Sequence, residues 1–446
     1  MRRVLLLSLF TGGLLACDSQ PAPDAASPAE SVRSEADEAQ AVFEATLALE
    51  DSRDSQSLEA EGLTGRAKLT PVERLGKLLF FDRRLSEPQG QPCAVCHGPT
   101  VGWTGPNQLI NITGSVYEGA VPGRFGNRKP PSSAYATPSP IFHLEHSGGE
   151  AVFVGGNFWD GRATGEELGN PAADQAQGPF LNPVEQNNPS EAVVVAKVCR
   201  GPYGDLFRSV YGPGICEDVP RAYDSIALAI AAYEDSREVN AFSSKFDAWM
   251  AGRAWFTAQE RWGLELFEGK ARCARCHSTK PGPRGEPPLF TDFTYDNLGV
   301  PRNPLNPWYW ELEFNPLGPL WVDEGLGAFL RTREEWRPYA DENLGKMKVP
   351  TLRNVDKRPY PWFIKAYTHN GYFKSLESLV HFYNTRDVLP VCRSGRPNRA
   401  GVDCWPPPEE PRNVNTTEVG NLGLTPQEEN ALVAFLRTLS DGYFQH

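Results

Sequence analysis

The stretch Cys93-Ala94-Val95-Cys96-His97 returns in the second half of the chain as Cys273-Ala274-Arg275-Cys276-His277. This Cys-x-x-Cys-His spacing is that of covalent haem c attachment. Two thiols three residues apart on one turn can each add to a haem vinyl group, and the imidazole of the next residue then lies beneath the iron as proximal ligand. A thioredoxin-like dithiol or half a zinc site would use the same cysteines. The repeat, in a chain that begins with an export signal, points instead to two covalent haems. Cys93, Cys96, Cys273 and Cys276 are the expected anchors, and His97 and His277 the expected iron ligands.

Each motif follows a helix start. Thr70-Pro71-Val72-Glu73 and Thr257-Ala258-Gln259-Glu260 are capping boxes, in which Thr satisfies an early backbone N–H and Glu reaches back from the third helical position. They run on into Leu75, Leu78, Leu79 and Phe80, and into Leu264, Leu266 and Phe267. Thr425-Pro426-Gln427-Glu428 opens a last helix with Leu432, Phe435, Leu436 and Leu439 on one side. Val193–Val198 reads as helix beside Ala192 and Ala196, and 41 Gly with 40 Pro imply abundant loop. The expected fold is mainly α, with two cytochrome c-like haem domains, long loops and few short strands. A composition break near Gly252–Ala254 places the domains at 62–250 and 255–446.

The 446 residues, 40% hydrophobic, suffice for two domains with cores of their own. Met1-Arg2-Arg3, an apolar run to Leu15 and then Ala16-Cys17 resemble a bacterial lipoprotein signal over residues 1–16, cleaved so that the Cys17 thiol is lipidated. In an ordinary secretory signal Cys17 would have no role. Residues 17–61, rich in Ala, Ser, Asp and Glu, read as a flexible tether with one short helix near Val42–Leu49. No later segment approaches the roughly 20 apolar residues a spanning helix needs. The expected location is therefore the periplasm, with the membrane touched only through a lipid anchor. A net charge of −12 and the lack of a Lys/Arg stripe speak against nucleic acid and suit a basic redox partner.

Four cysteines then remain: Cys199, Cys216, Cys392 and Cys404. An oxidising compartment favours pairing neighbours, Cys199 with Cys216 and Cys392 with Cys404, against the alternative of buried thiols.

The haem motifs occur in order with Leu79-Phe80-Phe81-Asp82, Phe158-Trp159-Asp160-Gly161-Arg162-Ala163, Asn182-Pro183-Val184-Glu185, Val349-Pro350-Thr351-Leu352-Arg353-Asn354 and His369-Asn370-Gly371. This ordered set resembles the bacterial dihaem cytochrome c peroxidase family, which includes the MauG-like protein oxidases. The resemblance implies that Trp159 lies between the haems and couples them, and that Gln175 and Glu185 sit on the distal side of a peroxide-binding haem. Both lie further from Trp159 than is usual, so the extra residues are expected to form a loop around Gly165–Asp174. A carboxylate above an open iron site is able to move a proton between the two oxygens of hydrogen peroxide.

Two departures bear on the subtype. From Gly98 to Phe142 there is no His, where classical members carry a displaceable distal one, so the first haem is expected to be five-coordinate and open to peroxide without prior reduction. At the position of the second haem's axial Met stands Tyr383, which helical spacing puts on one face with Leu376, Leu379 and Val380. Met347 is the rival ligand, whereas His381 falls on another face. An oxygen ligand lowers the reduction potential relative to a thioether. The family's calcium site is left open, because Tyr135 replaces its Asn; His143 and His146, in a hairpin insertion, are expected at the surface.

The function these features imply is a peroxidase-type oxidoreductase. It reacts with H2O2 at the first haem and stores or relays oxidising equivalents through Trp159 to the second, for a small redox protein or a protein substrate. The competing readings are a conventional cytochrome c peroxidase and a dihaem electron carrier without catalysis.

Overall fold

The computed structural model describes residues 37, 40–45, 69–147, 149–282, 285–393 and 398–444. The signal segment, Cys17, Leu49 and most of the tether lie outside the described residues. Within the expected tether helix, residues 40–45 are helical, and Phe43 from this segment is buried in the first core. The protein is mainly helical, with a few short strands.

α1 (Pro71–Phe81) and α6 (Val219–Asp235) cross at the heart of the first core, joined by α3 (Pro171–Leu181), α4 (Glu191–Arg200) and α5 (Gly204–Tyr211); the short α2 (Gln108–Ile112) lies in the long loop after the first haem motif. α7 (Lys245–Met250), α8 (Ala258–Glu268), α10 (Leu376–Thr385) and α11 (Pro426–Arg437) build the second core, with α8 against α11, while the short α9 (Gly325–Arg331) packs elsewhere. Phe246 and Trp249, on the N-terminal side of the composition break, pack in this second core.

The capping boxes at Thr70, Thr257 and Thr425 are all formed, each Thr accepting from the N–H of its Glu. The two haem-side crossings rest on one device. A Cβ on Gly76 of α1 would meet the Ala229 carbonyl oxygen at 1.9 Å, and one on Gly263 of α8 would meet that of Ala431 at 2.0 Å. Glycine at the same place after each Thr cap lets the two backbones touch.

Hairpin β1 (His143–Ser147) and β2 (Glu150–Val154) pairs His143 with Val154, and short strands β3 (Tyr295–Asp296) and β4 (Met347–Lys348) pair Tyr295 with Lys348. Phe142 and Phe153 at the hairpin pack with Tyr295, Leu326 and Leu330, so a third small core ties the first half of the chain to the second. His143 is partly exposed and bonded to Glu145, and His146 is exposed, as expected of surface residues. Disulfides join Cys199 to Cys216 and Cys392 to Cys404. No helix among the described residues is long and apolar enough to cross a membrane.

Candidate active site

Each Cys-x-x-Cys-His motif begins with a 3-10 turn, Cys93–Val95 and Cys273–Arg275. The N–H groups of His97 and His277 donate to the carbonyls of Cys93 and Cys273, at 3.0 and 2.9 Å. That folds each imidazole under the turn that carries the thiols. The His97 Nδ1–H lies 3.3 Å from the Trp103 carbonyl oxygen, with Ser133 Oγ at 3.1 Å, and the His277 Nδ1–H donates to the Phe290 carbonyl at 2.8 Å. In both rings Nε2 is thereby the atom left for a metal. Burial pulls both imidazoles down to about 4, so they are neutral and fit to ligate.

The donor chemistry fits haem c. In a chain whose other described cysteines form disulfides, the four motif cysteines carry thiols. Cys93, Cys96 and His97 line a cavity of about 360 Å³, and Cys273, Cys276 and His277 line a second of about 240 Å³.

Gln175, from α3, and Glu185, from the loop after it, line the same cavity as His97. The helix begins already at Pro171, so the connection lengthened after Trp159 is shorter than the Gly165–Asp174 loop expected: Asp174 lies inside α3 and accepts from the N–H groups of Gly165 and Leu168. Asn182 Nδ2 donates to Glu185 Oε2 at 3.0 Å. Burial pushes the Glu185 carboxyl above its ordinary range, opposed by the Arg162 guanidinium and the Asn182 hydrogen bond. His97 is the one histidine in this cavity's described lining.

Trp159 lines both cavities. Its indole N–H donates to the Lys129 carbonyl at 2.8 Å, and its own carbonyl accepts from the Lys348 N–H at 2.8 Å. The ammonium groups of these two lysines are themselves buried, Lys129 on Thr104 Oγ1 and the Pro130 carbonyl, Lys348 on Ser139 Oγ and Asn157 Oδ1. Burial pulls each down to about 7. Below Trp159 in the sequence, Asp160 accepts from both Arg128 and Arg162, and Arg128 also pairs with Asp323. The Arg162 guanidinium lies 3.8 Å over the Phe158 ring. The Phe-Trp-Asp-Gly-Arg motif thus folds into a charged clamp that fixes the indole between the cavities.

In the second cavity Leu376, Leu379, Val380 and Tyr383 of α10 all line the wall, as their spacing requires, and Met347 lines it too. His381 is held outside, with Nδ1 on Glu429 at 3.0 Å and Nε2 on the Gly401 carbonyl at 2.9 Å. Tyr135 donates from its phenol to Asp441 Oδ2 at 2.7 Å and is fully buried.

Four contributors escaped the sequence reading. Asn182 and Arg162 both favour the ionised form of Glu185 against burial, although both stand in the quoted motifs. Ser133 reaches His97, and Glu234 of α6 bonds to Ser133, its carboxyl pushed up to about 8 by burial. Neither carries a local signal.

A helical protein with two Cys-x-x-Cys-His cavities bridged by one tryptophan defines a class, and comparison with known proteins agrees. Residues 71–254 match the family model of di-haem cytochrome c peroxidase. The methylamine utilization protein MauG of Paracoccus denitrificans is 35% identical over 83% of this chain and 89% of its own. Cytochrome c551 peroxidase of Nitrosomonas europaea is 29% identical over 69% and 71%. The crystal structure of the diheme peroxidase BthA from Burkholderia thailandensis superposes with a TM-score of 0.68 at 32% identity, covering 84% of this chain and 89% of that one. The chain belongs to the di-haem cytochrome c peroxidase and MauG family, and it is a peroxidase-type oxidoreductase.

Proposed function

We propose that this protein reacts with hydrogen peroxide in the first cavity and passes oxidising equivalents through Trp159 to the second, in the manner of MauG. Cys93, Cys96 and His97 would hold one haem c, and Cys273, Cys276, His277 and Tyr383 the other, with Met347 the alternative to Tyr383. The bound haems would supply an iron that activates peroxide and a second one-electron store.

The observation that carries this reading is the shared lining: Glu185 and Gln175 border the same cavity as His97, and Trp159 borders that cavity and the next. Glu185 would take the proton from one peroxide oxygen and return it to the other, so that this oxygen departs as water, with the two electrons for the O–O cleavage supplied by the bound haems. Asn182 holds the carboxylate in place, and the Arg162 charge opposes the pull of burial on its pKa. Gln175 offers an amide to orient the peroxide. Trp159, pinned at both its N–H and its carbonyl, gives electrons a fixed aromatic step between the cavities.

The electron source is a small redox protein or a protein substrate. The chain is periplasmic in this reading and anchored through a lipid on Cys17. The deciding experiment is to add stoichiometric hydrogen peroxide to the fully oxidised holoprotein. An immediate change in the haem absorption spectrum is expected. A protein that ignores peroxide until one haem is reduced is instead a conventional cytochrome c peroxidase.

A further inference from the structure

Tyr309 takes no part in either haem motif, yet it is 3% exposed and stands in a row of aromatic side chains leading away from Trp159. The Trp159 and His369 rings meet edge to face with centroids 6.4 Å apart. His369 Nε2 lies 4.0 Å from Glu409 Oε2, and the Tyr309 phenol donates to Glu409 Oε1 at 3.2 Å. On its other side Tyr309 packs on Trp321, centroids 6.2 Å apart, and Trp321 on Trp308 at 6.1 Å. Trp308 borders the first cavity as well, and its neighbour Trp310 is 72% exposed.

Aromatic packing alone would explain the row. The carboxylate does not fit that explanation. Glu409 has a side chain 4% exposed, and it is set between the imidazole and the phenol. A phenol that loses an electron becomes a strong acid, so a buried tyrosine is oxidised readily only where a base stands within hydrogen-bond reach. Glu409 is that base. Asn370 Nδ2 donates to its other oxygen at 3.3 Å, and Arg302 lies 3.9 Å over the phenol ring while donating to the Trp321 carbonyl at 2.7 Å. A positive charge over the ring resists a charged aromatic radical and tolerates a neutral one. Proton loss to Glu409 is therefore the favourable route.

We propose that Tyr309 is a redox-active relay, with Glu409 as its proton acceptor, that carries oxidising equivalents from the Trp159 region to the surface at Trp308, Trp310 and Trp321. The proposal rests on the peroxide reading above. Hydrogen peroxide is the oxidant; its reduction to two waters takes two electrons and two protons, so the relay turns over twice for each peroxide and the protons are drawn from solvent. One electron leaves Tyr309 inward toward Trp159, and the phenolic proton moves to Glu409 Oε1. An outside one-electron donor then returns an electron through Trp321, and the proton goes back to the phenol oxygen. The donor is oxidised at this surface and need not enter the haem cavity.

The test is freeze-quench EPR of the holoprotein after addition of hydrogen peroxide, with the haem absorption followed in parallel. A tyrosyl radical is expected, its line shape changed by ring-deuterated tyrosine and its signal lost in Tyr309→Phe while the haem spectral change persists. Glu409→Gln should reduce the radical yield in the same way. A tyrosyl signal that survives Tyr309→Phe, or a haem that reacts without any tyrosyl signal, overturns this inference alone. A haem that does not react with peroxide overturns the peroxide reading along with it.

Discussion

The indole N–H of Trp159 donates to the carbonyl of Lys129 at 2.8 Å, and the Lys129 N–H in turn donates to the carbonyl of His369 at 2.7 Å. The bridge between the cavities is thus clamped by backbone from a distant loop. Trp159→Phe removes the indole donor and keeps an aromatic ring. The first haem's optical response to peroxide should persist in this variant, while the second haem's response slows. Stopped-flow absorption resolves the two, and an unchanged second-haem rate argues against the tryptophan bridge.

As the proposed proton acceptor Glu185 would act only when ionised, and burial raises its pKa above the ordinary 4.5. The rate of reaction with peroxide should therefore fall as pH drops through that raised value and level off above it. Arg162→Leu removes a charge that lowers the pKa, so the midpoint should move to higher pH. Glu185→Gln should slow the reaction by about 10²-fold or more. A pH-rate profile that Glu185→Gln leaves intact in shape and height assigns the proton transfer elsewhere.

Tyr383→Phe keeps the ring and deletes the oxygen that would ligate the second haem. The low-spin EPR signal of the oxidised protein should change, and Tyr383→Met should raise that haem's reduction potential, since a thioether replaces a harder oxygen ligand. An unaltered low-spin signal in Tyr383→Phe transfers the ligand role to Met347, which lines the same cavity.

Mass spectrometry of the exported protein should show about two haem masses, with attachment peptides at Cys93/Cys96 and Cys273/Cys276. Under denaturing, non-reducing conditions Cys199, Cys216, Cys392 and Cys404 should resist alkylation. Replacing Cys199 and Cys216 together by serine opens a loop of 17 residues' separation. That should cost about 3 kcal/mol in the chain-entropy model, read as a shift in the urea midpoint.

Gly76→Ala and Gly263→Ala each force a methyl against a carbonyl oxygen of the crossing helix, and each should cost about 1–3 kcal/mol. Gly214 is the control. Its φ is −86° and nothing lies within 4 Å of an added Cβ, so Gly214→Ala should be neutral or stabilising by about 0.5 kcal/mol. Thermal melts of the three holoproteins compare them directly, and equal melting points would contradict the close crossings.

What the sequence by itself determined is what lies within a few residues of its cause. The Thr caps with their Glu partners, the turns that bring Cys93 and Cys96 beside His97, and the face of α10 that carries Tyr383 are short-range geometry, readable from spacing. The two disulfides were legible for a related reason, since each joins cysteines that close a short loop. The start of α3 at Pro171, inside the segment read as loop, shows the limit of that method. There a capping Asn170 and the carboxylate of Asp174 decide the boundary, and both are competent in a turn or a helix. Only the tertiary structure decided which side chains meet across the cavities: Ser133 and Glu234 behind His97, Arg162 and Asn182 around Glu185, Lys129 under Trp159, Glu409 against Tyr309. Two of these pairs, Glu234 with Ser133 and Glu409 with Tyr309, join segments a hundred or more residues apart. Such contacts form because helices must bury apolar faces together, and the polar groups carried into the interior then have to satisfy one another there.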